Sequence, residues 1–281
     1  MTQGLTFGLV GNPLKHSFSP SMHNAAFLKL RIKANYKLFP LDKRELRDFF
    51  LNLDKNNIRG LNITVPYKEV LLQLVRGRKN SVVSSIGAAN TVFVDKKGSV
   101  NFFNTDYLGF LRHIKELNLK PKRVAMVGAG GAARAVCFAL GKKKVSEVLI
   151  YDIDHFRSLS LMKQFNSLFP GSGFRAVGKI EELSLADKDL LVNASSVGMK
   201  PDDPLLIDRS MLHPGLFVYD LIYNPKETKL LKLAKEAGVN YSNGLGMLLY
   251  QGVESLNIWI HPRKAPIEAM QKALEKAVMR G

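Results

Sequence analysis

Val124-Ala125-Met126-Val127-Gly128-Ala129-Gly130-Gly131-Ala132-Ala133-Arg134 reads as a strand that turns on glycines into a helix. It fits G-x-G-x-x-G/A, with Gly128, Gly130 and Ala133 at the three marked positions. Gly128 permits the tight turn, Gly130 lets the backbone approach a pyrophosphate, and Ala133 allows the helix to pack closely on the strand. The opening helix offers unpaired N–H groups and a positive dipole end to phosphate. Gly128, Ala129, Gly130, Gly131 and Ala132 are therefore the candidate phosphate cradle. Such a turn can also exist for packing alone. Here an acidic residue, Asp152, closes the next strand 22 positions after Gly130, where a dinucleotide site needs a ribose partner.

Outward from this turn, residues 107–243 alternate strands and helices. Strand candidates are 123–127, 147–151, 190–193 and 216–221, with helical runs at 132–140, 156–169 and 227–237. That order predicts a parallel, doubly wound α/β sheet. Upstream, 5–10, 35–39 and 60–65 are strand candidates, and 41–53 reads as a helix. A further helix starts at Ser19-Pro20, with serine as N-cap, proline at the first helical position and Met22, Ala26 and Leu30 on its apolar face. Residues 91–94 and 100–103 flank Asp95-Lys96-Lys97-Gly98, a hairpin turn. The last stretch is helical over 246–259 and 266–279. The predicted organisation is thus 1–106 with 244–281 around an inserted 107–243.

Composition narrows the class. The chain has 281 residues, 46% of them hydrophobic, enough apolar content for globular domains and too much for a disordered chain. One cysteine, Cys137, excludes an intramolecular disulfide framework and fits a reducing cytoplasm. The six histidines show no metal-ligand spacing, and no metal is expected. No stretch reaches the roughly 18 apolar residues of a membrane span. The amino-terminal MTQGLTFGLVGN lacks a basic n-region and reads as a first strand, not a signal peptide. A net charge of +17 raises nucleic-acid binding as a competing class. Its distribution argues against it: 1–106 carries 16 basic and 7 acidic residues, 107–243 carries 20 and 14, and 244–281 carries 5 and 3. No basic stripe interleaved with aromatics appears. A diffuse basic field would attract small anionic substrates and cofactors.

Three polar clusters could carry chemistry. Asn62-Ile63-Thr64-Val65-Pro66-Tyr67-Lys68 puts Asn62 and Thr64 on one face of a strand that Pro66 ends, with Lys68 just beyond. A lysine at the carboxyl end of such a strand can carry a proton; taken alone, it is more often a surface lysine. Gly87-Ala88-Ala89-Asn90-Thr91 and Asn104-Thr105-Asp106 place Asn90 before a strand and Asp106 after one. A carboxylate there could hold Lys68, or both could be ordinary turn residues. Ser17 and Ser19 offer hydroxyls suited to a carboxylate, or simply to capping. No Ser-His-Asp arrangement is legible.

Taken together and in order, these motifs resemble the shikimate/quinate dehydrogenase family. The resemblance runs over essentially the whole chain, through Gly11-Asn12-Pro13, His16-Ser17-Phe18-Ser19-Pro20, the three clusters and the glycine turn. It continues through Asn193-Ala194-Ser195-Ser196-Val197-Gly198-Met199, Tyr219-Asp220-Leu221-Ile222-Tyr223, and Gly244-Leu245-Gly246-Met247-Leu248 with Gln251. It implies a catalytic domain of both chain ends, an inserted Rossmann-type domain and an active site in the cleft. It also implies Lys68 as general acid/base and Asp106 beside it. Ser17 and Ser19 would bind the substrate carboxylate, with Thr64, Asn90, Asp106, Tyr223 and Gln251 on ring hydroxyls and carboxylate. Leu221 and Gly244 would lie against the nicotinamide half of the cofactor. The implied activity is reversible, nicotinamide-dependent reduction of 3-dehydroshikimate to shikimate, with quinate as the alternative substrate, in a cytoplasmic monomer or homodimer. Two departures stand out. Ser81 replaces an acidic residue the family often has before its G-A-x-N-T segment, and Asp152-Ile153-Asp154 replaces the Asn-Arg-Thr of NADP-using members, although Arg157 remains. NAD is therefore expected to serve at least as well as NADP.

Overall fold

The computed structural model describes residues 4–15 and 17–280. His16 and the first three residues, quoted above, lie outside them. In chain order the elements are β1 (Leu5–Gly11), α1 (Ser19–Lys29), β2 (Ala34–Pro40), α2 (Leu46–Leu51), β3 (Ile58–Ile63), α3 (Leu71–Leu74) and β4 (Arg78–Lys79). Next come α4 (Ser81–Ile86), β5 (Thr91–Val94), β6 (Val100–Phe103), α5 (Asp106–Glu116), β7 (Arg123–Val127), α6 (Gly131–Lys142) and β8 (Glu147–Tyr151). The chain ends with α7 (His155–Leu168), β9 (Gly173–Ala176), β10 (Leu190–Asn193), β11 (Phe217–Asp220), α8 (Lys229–Glu236), β12 (Asn240–Ser242), α9 (Leu245–Ile260) and α10 (Ile267–Val278).

These elements form two units, one running to Gly109 and resuming at Leu248, the other spanning Phe110–Met247. The crossings fall a few residues inside the expected boundaries. They lie within α5 and α9, so continuous helices rather than loops carry the chain across. The second unit holds a six-stranded sheet in the order β12-β11-β10-β7-β8-β9, every pair parallel. Counted from β7, that is the doubly wound order, which reverses direction between β7 and β10. Ligands of such sheets bind outside the strand ends at that reversal, and the glycine turn follows β7 there. One face of the sheet is sealed by Ala125, Val127, Leu149, Leu191 and Val218 against Leu230, Leu231 and Ala234 of α8. Cys137 is fully buried in α6, where desolvation pushes its thiol up and deprives it of nucleophilic character.

The first unit is built on a mixed sheet, β2-β1-β3-β5-β6-β4. Alternation along β3 sends Leu61 and Ile63 into a core with Val92, Phe102 and Leu71. Asn62, between them, faces the opposite side. There Phe7 packs on Phe27 and Trp259 at ring distances of 5.0 and 5.1 Å. His23 stacks on Tyr36 at 4.5 Å. Burial holds the His23 imidazole neutral, its pKa pushed down to about 3. Gly60 is required at its place, since a Cβ there would come within 2.5 Å of the Trp259 indole nitrogen. That nitrogen donates to the Val92 carbonyl at 2.9 Å, seating α9 on the sheet.

Three local expectations are corrected. Ser19 is the first residue of α1, not its cap: Phe18 stands at the cap position, and the Ser17 hydroxyl accepts from Ser19 N at 3.3 Å. The helix expected over 41–53 is a 3-10 turn, Lys43–Glu45, leading into the short α2. Glu45 reaches back to Asp42 N at 2.6 Å and fixes the start beyond Leu41. β3 ends at Ile63, leaving Thr64 just outside it, before a proline that brings no donor to the ladder. No helix among the described residues is long and apolar enough to cross a membrane, and no group of three or more His, Cys, Asp or Glu among them is placed to hold a metal.

Candidate active site

In the first unit the turn after β3 is clamped on both sides of Lys68. The Tyr67 ring is buried and its hydroxyl donates to the Leu41 carbonyl at 2.6 Å. Ala89 N donates to the Lys68 carbonyl at 2.8 Å. The Lys68 ammonium is thereby aimed at Asp106, donating to Oδ2 at 2.8 Å, with the two side chains 15% and 5% exposed. Asp106 opens α5, where the helix dipole favours a carboxylate. Its other oxygen, Oδ1, accepts from Asn90 Nδ2 at 2.8 Å. The Asn90 amide cannot be turned round, because its Oδ1 accepts from the backbone N–H of Thr105 at 2.6 Å. Asn90 Nδ2 also donates to Gln251 Oε1 at 3.2 Å, while Gln251 Nε2 donates to the Leu248 carbonyl at 2.8 Å. Lys68, Asp106, Asn90 and Gln251 thus form one hydrogen-bonded cluster. It is a mostly buried ion pair with both carboxylate oxygens satisfied, the condition under which such a pair survives desolvation.

Beneath the cluster lies a second polar layer that sequence reading did not resolve. Asn62 Nδ2 donates to the Asn90 carbonyl at 3.2 Å, and Asn62 Oδ1 accepts from the Tyr36 hydroxyl at 2.9 Å. Thr91, Thr105 and Ser255 meet hydroxyl to hydroxyl, at 3.1 Å between the threonines and at 2.7 and 3.0 Å from Ser255 to each. Asn62 and Thr105 stood inside quoted motifs, but only their burial reveals their work. Ser17, Ser19 and Thr64 belong to the same unit and, among the described residues, share no hydrogen bond with the Lys68 cluster.

In the second unit the glycine turn has the backbone its sequence demands. Gly128 has φ +102, and a Cβ there would lie 2.7 Å from the Ala194 backbone, at the end of neighbouring β10. Gly130 caps α6 in an extended conformation with no side-chain cap, so the first N–H groups of Gly131 and Ala132 open toward the turn. A Cβ on Gly130 would meet only the Arg157 guanidinium, at 3.6 Å. The N–H groups at this uncapped helix start fit a pyrophosphate, whereas those of Gly128 and Ala129 are taken by the Tyr151 carbonyl and Asp152. Asp152 is held against the turn: Oδ2 accepts from Ala129 N at 2.6 Å and Oδ1 from Asp154 N at 2.9 Å. Asp154 itself is the N-cap of α7, accepting from Phe156 N at 3.1 Å. Ile153 is 94% exposed beside them.

At the ends of β10 and β11, buried Asp220 accepts from Asn193 Nδ2 at 3.0 Å, Ile222 N at 3.0 Å and the Thr228 hydroxyl at 2.7 Å. Burial pushes its carboxyl up to about 6 against the pull of those three donors. Gly244 passes so close to Leu221 that any Cβ would strike the Leu221 carbonyl, which leaves glycine alone at this position. Tyr223 follows in the same loop, its phenol raised by burial.

A family model described as the shikimate dehydrogenase substrate binding domain matches residues 9–92, and one described as the shikimate 5'-dehydrogenase C-terminal domain matches 244–275. A shikimate dehydrogenase (NADP(+)) of Methanosarcina acetivorans is 38% identical over 277 residues, 97% of this chain and 98% of that one. The chain belongs to the shikimate dehydrogenase family. Among solved structures, a shikimate dehydrogenase in complex with NADP+ superposes with a TM-score of 0.90 at 32% identity, covering 99% of this chain and 97% of that one. The shikimate 5-dehydrogenase of Listeria monocytogenes, in complex with shikimate and NAD, gives 0.86 at 32% identity and covers 98% and 97%. The shikimate dehydrogenase architecture of a mixed α/β unit and a doubly wound one is common to all of them.

Proposed function

We propose that this chain catalyses the reversible reduction of 3-dehydroshikimate to shikimate. The first unit would bind the substrate and the second would bind the dinucleotide. The observation that carries the reading is the Lys68–Asp106 pair at 2.8 Å, held on its far side by Asn90. A bound nicotinamide supplies the hydride for the carbonyl carbon, or accepts it from the carbinol carbon in the reverse direction. Lys68 Nζ gives a proton to the carbonyl oxygen as it gains charge and takes one back in the reverse direction. Asp106 accepts from the substrate hydroxyl and from Lys68, so that the proton moves between groups already in line. Asn90, Gln251 and Thr64 contact ring hydroxyls and carboxylate. Steady-state assays with shikimate and with quinate, each with NAD and NADP, test the assignment. Turnover of neither acid would overturn it, and a preference for quinate would replace the substrate.

Ser17 and Ser19 are proposed to bind the substrate carboxylate. A hydrogen bond to a charged group contributes about 1.5–3 kcal/mol, so Ser17→Ala and Ser19→Ala should each raise KM for shikimate by roughly tenfold or more with little change in kcat. Unchanged kinetics in the double variant would leave Ser17 as an acceptor for the Ser19 N–H only.

For the cofactor, we infer that NAD serves at least as well as NADP. The Asp152 carboxylate, fixed on the Ala129 and Asp154 N–H groups, keeps lone pairs for a ribose hydroxyl and puts negative charge where a 2′-phosphate would fall. The diffuse +17 does not offset this at short range, since exposed charges beyond about 10 Å are screened at 0.1 M salt. Arg157, beside Gly130, pulls the other way. The Methanosarcina relative is named for NADP(+), whereas the Listeria structure holds NAD. The ratio of kcat/KM for NAD to that for NADP should be one or greater at fixed shikimate. A strong NADP preference would mean that Arg157 outweighs Asp152.

A further inference from the structure

We propose that Ser255 is a positioning residue of this reaction, setting through Thr91 and Thr105 the Asn90 amide that holds Asp106. The inference rests on the role proposed above for the Lys68–Asp106 pair. Ser255 is fully buried and lies one helical turn after Gln251 in α9. Its hydroxyl donates to the Gln251 carbonyl at 2.9 Å. With its one proton committed there, its two lone pairs are left for donors among its other neighbours, Asn62 Nδ2 at 2.9 Å, Thr91 Oγ1 at 2.7 Å and Thr105 Oγ1 at 3.0 Å. The Thr91 hydroxyl therefore has two acceptors for its one proton, Ser255 Oγ and, at 3.1 Å, Asn90 Oδ1, which also takes the Thr105 N–H.

Removing the Ser255 oxygen ends that competition. Asn62 loses an acceptor, and the Thr91 hydroxyl turns to Asn90 Oδ1. An amide whose oxygen accepts more becomes a stronger donor through its nitrogen. That nitrogen donates to Asp106 Oδ1, so the carboxylate facing Lys68 is altered without any change in the groups that touch substrate. A second route converges on the same amide, since Gln251 Oε1, on the residue whose carbonyl Ser255 ties, takes another contact from Asn90 Nδ2. A serine bonded to the carbonyl four residues back is usually an unremarked helix residue. Here that bond commits its proton and so directs the layer under the active site.

The test compares Ser255→Ala and Thr91→Val with the unaltered full-length enzyme, measuring kcat, both KM values and the pH dependence of kcat. Supporting groups of this kind typically cost roughly tenfold or more in activity when removed. Both variants should lower kcat about tenfold and leave KM for shikimate within about twofold, and they should move the pH dependence of kcat in opposite directions, because Ser255→Ala gives the Thr91 proton to Asn90 Oδ1 and Thr91→Val removes it. If either variant folds with native kcat and an unmoved pH profile, the proposal is overturned, whatever its melting temperature. An unaltered enzyme that fails to oxidise shikimate would instead overturn the function proposed above.

Discussion

Lys68→Ala should lower kcat by about 10²–10⁴-fold, the usual worth of a positioned general acid or base, while the variant melts as a folded protein. The expectation rests on how little else in the first unit's cluster can move a proton. Asn90 and Gln251 are amides, and Asp106 has both oxygens engaged as acceptors. Lys68 is the one member that can donate and later take back a proton at a single atom. Its truncation also leaves Asp106 Oδ2 without its cation, so some loss of stability accompanies the loss of rate. Near-native turnover at neutral pH in Lys68→Ala would exclude lysine as the proton carrier. Partial rescue by added primary amines would strengthen the assignment.

Asp106→Asn should cost almost as much, although it changes only one oxygen to an amide nitrogen. In one orientation the new NH₂ confronts Asn90 Nδ2, itself a donor whose direction is fixed by Thr105 N. In the other it confronts the Lys68 ammonium. Either way, two donors meet in a buried site. A buried group left unsatisfied costs about 1–3 kcal/mol, and more when charged. The expected result is a fall in kcat/KM of roughly 10²-fold or more, with a lowered melting temperature. A variant with wild-type kcat/KM would show that the carboxylate is dispensable and that Asn90 alone can hold the lysine.

Much of this was legible before any coordinates. The turn from Val127 through Ala133 could be read because each glycine there answers a different steric demand, and Gly128 proves to need its positive φ. β7, β8, β10 and the β5–β6 hairpin stand where apolar runs and the Asp95–Gly98 turn put them. The strands that escaped, β4, β9 and β12, are short and lie at or beside sheet edges, where few buried positions impose an alternation. Asp154 stood in the sequence as a second charge near the ribose, whereas its oxygen is committed to capping α7. Thr105 and Ser255 could not be read at all. Their hydroxyls acquire a role only when residues 150 positions apart in the chain come within 3.0 Å.

That separation bears on the order in which the molecule can be assembled. The second unit occupies one continuous run, Phe110–Met247, so all the strands of its sheet are synthesised before α9 and α10. The first unit is different. β1 to β6 are synthesised early, yet the Val92 carbonyl receives the Trp259 indole, and Asn62 meets Ser255 across 193 residues, only when α9 arrives. Until then the side of its sheet that bears Phe7, Tyr36 and Asn62 has only α1 over it and lacks the cover that α9 supplies, and half-made sheets of this kind are where chains stick to one another. The same late helix supplies both Trp259 over that face and the Ser255 hydroxyl under the Asn90 amide. A nascent chain therefore has every strand of the second unit's sheet before α9 brings Gln251 and Ser255 to the Asn90 cluster of the first.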